Sequence, residues 1–222
     1  MGRIRGWPAT LCVPDLLGAS VVLHPTRASD VHTRRQVRAA NDLWLRPWNP
    51  SRPEAPEHSS PVKPLVSVIR RSPAWPYVST ARTGWEARRG IAFTWIIRYG
   101  GHFAGELTVW HVIWGSCRSA ELAYWIDARF AGQGIMPTAL AMGVDHCFQV
   151  MGIHRLEAGI RPENTASRRV VEKLGFRDEG IRVRQVHIDG AWRDHICYAI
   201  TAEEVPAGLL CHWRTSLASS TA

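Results

Sequence analysis

Residues 121–151 read ELAYWID, ARFAGQGIM and PTALAMGVDHCFQVM: a short β-like run, a turn with two glycines and an apolar-periodic helix. The segment Arg129-Phe130-Ala131-Gly132-Gln133-Gly134 thus sits where a strand hands over to a helix N-terminus. Such a turn can hold phosphate. Glycine lets the backbone approach an anion closely, and the free N–H groups of the first helical turn, at the positive end of the helix dipole, bind its charge. Pro137 suits that first turn, which tolerates a residue with no donor and a preset φ. Arg129 is the only nearby cation in sequence, so the turn is expected to bind mainly through backbone.

The flanking elements must place this turn. In the helix, Leu140, Val144, Cys147 and Met151 recur at i, i+4, i+7 and i+11 and predict one core-facing stripe, closed by Gly152. Upstream, Ala19 to His24 reads as a strand, and Ser29 as the N-cap of a helix from Asp30 to about Ala40. A helix near 74–89 is limited at its start by Pro73 and Pro76, and 91–98 with 103–112 predicts a hairpin around Gly100-Gly101. Downstream, His154 to Arg161 alternates as a half-buried strand; Asn164 or Thr165 caps a short helix that Gly175-Phe176 ends. Asp189-Gly190, between 180–188 and 191–200, is the strongest hairpin signal. The order predicts a mixed α/β domain with a largely antiparallel sheet. Only the strands flanking the 135–151 helix must be parallel, since a helix crossover joins them.

The chain has 222 residues, enough for one well-buried domain. Residues 1–18 read as a loose basic extension, 47–90 as an irregular insert crowded with proline, and 206–222 as a flexible tail. The five cysteines are scattered with no C-x-x-C, which argues against a disulfide framework or a zinc site; no metal is expected. No apolar run approaches the roughly 18 to 20 residues that span a bilayer, so the expectation is a soluble, cytoplasmic protein without membrane contact. The net charge of +8 lies entirely in the first half: residues 1–100 hold 15 basic and 6 acidic side chains, 101–222 hold 12 and 13. That surface fits either a transient contact with RNA or the ribosome, or a solvated face. Trp95, Trp110 and Trp125 fall in strands and are expected in the core.

Three motifs together resemble the GNAT superfamily of N-acetyltransferases. They are Arg129-x-x-Gly132-x-Gly134; Asn164-x-x-Ser167 followed by Leu174-Gly175-Phe176; and Tyr124-Trp125-Ile126 with Arg161-Pro162-Glu163-Asn164 and Trp192-Arg193-Asp194, which narrows the likeness to the RimJ/RimL type acting on ribosomal-protein N-terminal alanine. The match is strong over 91–205, looser over 19–50 and poor over 51–90. It implies the acyl-CoA N-acyltransferase fold over 19–205, with acetyl-CoA in a V-shaped cleft between the 121–127 and 154–161 strands. Backbone groups of Trp125, Ile126 and Asp127 would pair with the pantetheine arm. The N–H groups of Phe130, Ala131, Gly132, Gln133, Gly134 and Ile135, beside Arg129, would hold the pyrophosphate. Asn164 would bond the cofactor and Ser167 would protonate the leaving thiolate, although both also suit helix capping. Val170 and Val171 stand where some relatives carry an acidic tyrosine. The usual base positions hold Gly159 and Val186, which leaves Glu121, His187 and Asp194 as candidates, and Trp44 and Trp48 near the substrate mouth.

The implied partner is the N-terminal peptide of a ribosomal or other protein. A small-molecule amine acetyltransferase is the first alternative, and would want an acidic mouth. A non-catalytic acyl-CoA-binding or ribosome-associated module is the second.

Overall fold

A computed structural model describes residues 4–14, 18–51, 53 and 75–220. Its strands are β1 (Leu11–Val13), β2 (Val21–Pro25), β3 (Phe93–Tyr99), β4 (His102–Ile113), β5 (Ser119–Ile126), β6 (Arg155–Ile160), β7 (Arg177–Ile188) and β8 (Ala191–Thr201). They form one sheet in the order β1-β2-β3-β4-β5-β6-β8-β7. Every neighbouring pair is antiparallel except β5 and β6, which are parallel as the helix crossover between them requires. The last hairpin turns on Asp189 (φ 47°) and Gly190 (φ 78°), both left-handed as a two-residue turn matched to strand twist demands.

The helices are α1 (Val31–Ala40), α2 (Asp42–Leu45), α3 (Trp75–Arg88), α4 (Ile135–Asp145), α5 (Thr165–Lys173) and α6 (Leu209–Ser220). Every residue from Ile135 to Val144 is buried, so α4 is a core helix covered on all sides rather than an amphipathic surface one. It lies against β2 and β4 so closely that a Cβ on Gly143 would come within 2.4 Å of Leu107 Cδ2. The expected stripe is present, with Leu140, Val144, Cys147 and Met151 all buried, and it runs on into a π-helical turn (His146–Met151) before Gly152 in the left-handed region. On the other face of the sheet, Arg34 of α1 grips Glu106 of β4 through two bonds of 2.5 and 2.8 Å.

The structure corrects both ends of the expected organisation. The basic extension is tied down: β1 pairs with β2, Trp7 packs edge-on against Trp95, and Trp95 Nε1 donates to Ala9 O at 3.0 Å. The expected tail is α6, whose Trp213 is 4% exposed and donates from Nε1 to Thr138 Oγ1 of α4 at 2.9 Å. The Asp145 carboxylate, at the end of α4, accepts the Leu209 and Leu210 N–H groups that open α6. Within the insert α3 forms where a helix was expected, while residue 52 and residues 54–74 lie outside the described residues. Ser29 is not the cap of α1; it lies in a 3-10 turn, where Asp30 accepts the Arg27 N–H at 2.8 Å. Trp95 is fully buried, but Trp110 is 37% exposed.

Because α6 covers α4, truncating its anchor opens a cavity and removes one of the two hydrogen bonds of the buried Thr138 hydroxyl, which keeps its bond to Gly134 O. Trp213→Ala is expected to lower unfolding free energy by about 3–5 kcal/mol, read from the midpoint of urea denaturation.

Candidate active site

The parallel pairing of β5 with β6 lasts for Ser119 with Arg155, Ala120 with Leu156 and Glu121 with Glu157, and then stops. Beyond it, Leu122 to Ile126 remain paired only with β4, and Ala158 to Ile160 only with β8. The strands therefore part, opening the V that the resemblance implies. The Asp127 N–H donates to Ala104 O at 2.7 Å, so the alternation of an antiparallel ladder turns the main-chain groups of Trp125 and Asp127 towards β4. Those facing the gap belong to Leu122, Tyr124 and Ile126. Of the three residues expected to line the pantetheine arm, only Ile126 has backbone groups directed there. Its carbonyl accepts the Trp44 Nε1–H at 3.2 Å, which places α2 at the mouth of the cleft. Trp125 contributes its ring, with Nε1 buried and unpartnered among the described residues and the Arg38 guanidinium 5.3 Å from the ring centre.

At the wide end of the V, a 3-10 turn (Ala128–Phe130) leads into α4. Gly132 and Gly134 both have φ of 77°, and a Cβ on Gly132 would meet nothing within 4 Å. Glycine is thus required by backbone conformation, and the space beside it is open. Among the described residues no partner is found for the N–H groups of Gly132, Gln133 and Gly134, while those of Phe130 and Ala131 close the turn on Asp127 O and Ala128 O. Ile135 begins α4 with an N–H that the helix itself cannot satisfy. These amides fit a pyrophosphate. Arg129 does not lend its charge freely: its Nε and Nη2 donate to the Asp127 carboxylate at 2.9 and 2.6 Å. Although burial opposes it, the bonds from Arg129 hold that carboxyl below its usual range.

Asn164 caps α5, its Oδ1 accepting the Ser167 N–H at 3.1 Å. Ser167 Oγ donates to the Tyr124 hydroxyl at 2.8 Å, and that hydroxyl donates in turn to Ser167 O at 3.2 Å. Burial pushes the Tyr124 phenol above its ordinary pKa, against the Ser167 bond, so it keeps its proton at any working pH. Sequence reasoning used Tyr124 only as part of a motif. Strand alternation does separate it from Trp125, on the face that bears Leu122 and turns towards α4 and α5.

The expected bases fare differently. Glu121 stands at the fork, paired with Glu157 of β6, with Oε1 3.3 Å from His111 Nδ1. Glu157, which sequence reasoning missed, accepts from Arg155 at 2.9 Å and Arg182 at 2.6 Å; against the effect of burial these bonds lower its pKa, leaving a fixed anion. His187 is far up the hairpin, opposite Trp192, and ties it to the insert: its Nδ1 is 2.9 Å from Ser51 Oγ and its carbonyl accepts the Ser51 N–H. It lies five positions along β8 from Cys197, the partner of Gly159, and so roughly 16 Å from Gly159. Exposed Asp194 accepts the Arg184 N–H at 2.7 Å. Nor is Trp48 idle, since the Arg161 guanidinium stacks over it at 5.5 Å and donates to Pro47 O. Among the described residues no group of His, Cys, Asp and Glu could hold a metal ion, and no helix is long and apolar enough to cross a membrane.

The profile of the acetyltransferase (GNAT) domain matches residues 21–177, from β2 through the fork, the turn and α5. The chain belongs to the GNAT acetyltransferases. It is an N-acetyltransferase. RimJ from Mycobacterium smegmatis, solved in complex with CoA-disulfide, superposes with a TM-score of 0.82 at 37% identity over 94% of each chain. The [ribosomal protein uS5]-alanine N-acetyltransferase of Escherichia coli is 29% identical over 194 residues, 80% of this chain and 88% of that protein. The probable N-acetyltransferase YjcK of Bacillus subtilis is 41% identical over 96 residues, which span 43% of this chain and about half of that protein, 53%.

A branched side chain at Gly134 would meet both a left-handed backbone and the free amides. Gly134→Val is expected to raise the acetyl-CoA Kd at least about ten-fold in calorimetric titration, with the protein still folded by circular dichroism.

Proposed function

We propose that this acetyltransferase transfers acetyl from acetyl-CoA to the α-amine of a protein N-terminus, an alanine of a ribosomal protein being the favoured target. The reading rests on the likeness to Mycobacterium smegmatis RimJ over 94% of both chains. It is supported by the alanine acetyltransferase of Escherichia coli, matched over 88% of its length. Acid–base arithmetic favours the same substrate. An α-amine has a pKa of about 7.7 to 8, so freeing it at pH 7 costs about 1 to 1.4 kcal/mol, against roughly 4.6 for a lysine at about 10.4. A site whose carboxylates at the fork are engaged by His111, Arg155 and Arg182 suits the easier deprotonation.

When bound, acetyl-CoA supplies an activated acyl group. In this reading the amides of Gly132, Gln133, Gly134 and Ile135 hold the pyrophosphate, and the backbone groups of Ile126, Tyr124 and Leu122 align the pantetheine arm. Asn164 fixes the first turn of α5 and with it Ser167. Ser167 Oγ–H, which donates to the Tyr124 phenol in this structure, would turn to the sulfur that leaves, while the phenol keeps its own hydrogen on Ser167 O. Trp44, and Trp48 under Arg161, wall the opening through which a peptide N-terminus enters.

An alanine-starting peptide is expected to be acetylated with kcat/KM at least about ten-fold above the same peptide with a blocked N-terminus and an internal lysine, or a polyamine. Equal rates for the three would overturn the assignment. Ser167→Ala should lower kcat about 10- to 100-fold with little change in acetyl-CoA KM, and Tyr124→Phe added to it should cost much less than it does alone, because the two hydroxyls act as one unit.

A further inference from the structure

Gly159 leaves room beside the fork, and the side chains that border the room are Gln185 and His195. Gly159 lies two residues past the last β5–β6 pair and opposite Cys197 of β8. A Cβ there would meet His195 Cβ at 3.8 Å, His195 Cδ2 at 3.9 Å and Gln185 Oε1 at 3.6 Å. The imidazole edge that carries Cδ2 therefore lies beside Gly159, where β6 has lost its neighbour, and Nε2 follows one bond further on. The residue is 6% exposed. Its Nδ1 sits 3.1 Å from Arg193 O; a carbonyl only accepts, so Nδ1 carries the hydrogen. In the neutral ring Nε2 then holds a lone pair, and among the described residues it has no partner.

The other ionisable groups around the fork are accounted for. Glu157 is fixed by Arg155 and Arg182, the Cys197 thiol opposite Gly159 donates to Glu157 Oε2 at 3.6 Å, Glu121 faces His111, Asp194 holds the Arg184 amide, and His187 is remote. The charges that bear on His195 are Arg161 and Glu163 from the β6–α5 connection, Asp194 beside it and Arg182 opposite it on β7. Burial, with Arg161, holds the imidazole below its ordinary pKa against Asp194, Glu163 and the Arg193 carbonyl, so it is neutral at pH 7.

We propose that His195 Nε2 is the general base of the acetyl transfer, a role that rests on the acetyltransferase chemistry above. As the amine nitrogen bonds the acetyl carbon and the C–S bond breaks, the ammonium proton passes to Nε2, directly or through one water. The thiolate gains a proton from the Ser167–Tyr124 pair, which solvent restores, and His195 returns its own to solvent.

The test compares wild type with His195→Gln and His195→Ala, using whichever amine the wild type accepts best. The expected result is a fall in kcat of about 100-fold, an acetyl-CoA Kd within about two-fold of wild type, loss of the acidic limb of the kcat profile, and partial recovery of His195→Ala by added imidazole. A kcat within about three-fold of wild type overturns the proposal, as does a loss confined to acetyl-CoA affinity. Nitrogen-15 spectra of the wild-type histidines keep it falsifiable should both variants misfold: an unprotonated Nε2 at pH 7 is expected, and a hydrogen on Nε2 overturns it. A wild type that prefers a polyamine to the alanine peptide would overturn the peptide reading while leaving this comparison intact.

Discussion

The parting of β5 from β6 is the constraint on which the rest of this structure depends. In the middle of an eight-stranded sheet, two strands pair for three residues and then separate, leaving main-chain donors and acceptors that a continuous ladder would have satisfied. Unmet groups of this kind cost of the order of 1–3 kcal/mol each when buried, so a fold keeps such a gap only where solvent or a ligand enters it. Each strand remains rigid because its outer neighbour holds it: β4 grips β5 through Asp127, and β8 grips β6 as far as Ile160. The gap is therefore a stable feature of the fold.

Everything around the fork keeps its arms apart. Beneath it lies α4, buried along its length, whose close approach to β4 at Gly143 fixes the helix N-terminus at the open end. Above it, Arg34 of α1 anchors on Glu106, directly across the ladder from Trp125, and Arg38 covers that ring. The two faces supply different chemistry. On one side Tyr124 and Ser167 hold hydrogens, and on the other Glu157, Arg182 and His195 surround the point where β6 loses its partner. A proton donor and a proton acceptor on opposite faces of one gap suit a reaction that must release a proton from one atom and supply one to another.

Much of this was legible in the sequence, because it depends on local patterns. The strand-turn-helix at 121–151, the hairpin at Asp189-Gly190 and the Asn164 cap all announce themselves through spacing and turn residues. What stayed hidden depends on partners distant in the chain. Nothing in residues 1–18 says that Trp7 will pack on Trp95, nor in 206–222 that Trp213 will find Thr138. That Arg129 shares its charge with Asp127, two residues back, is a contact the motif does not announce. His187 and Asp194 became candidate bases because the usual base positions hold Gly159 and Val186, and their hydrogen bonds to Ser51 and to the Arg184 amide depend on partners that the sequence does not place. Conversely, Gly159 read as a missing base, and only its neighbours across two strands show that the emptiness there is occupied from β8.

The latch between α4 and α6 bears on how the chain emerges during its own synthesis. The helix that underlies the cleft carries its apolar surface from the moment residues 135–151 leave the exit tunnel, yet the Trp213 ring and the Leu209 and Leu210 amides that cover it follow every strand of the sheet. Until then the nascent domain holds an uncovered hydrophobic helix beside sheet edges awaiting β8 and β7, the kind of surface that makes an incomplete domain prone to aggregate. Completion is thus a late and collective event, and a ribosome that stalls short of residue 209 leaves a sheet whose central helix lacks its cover.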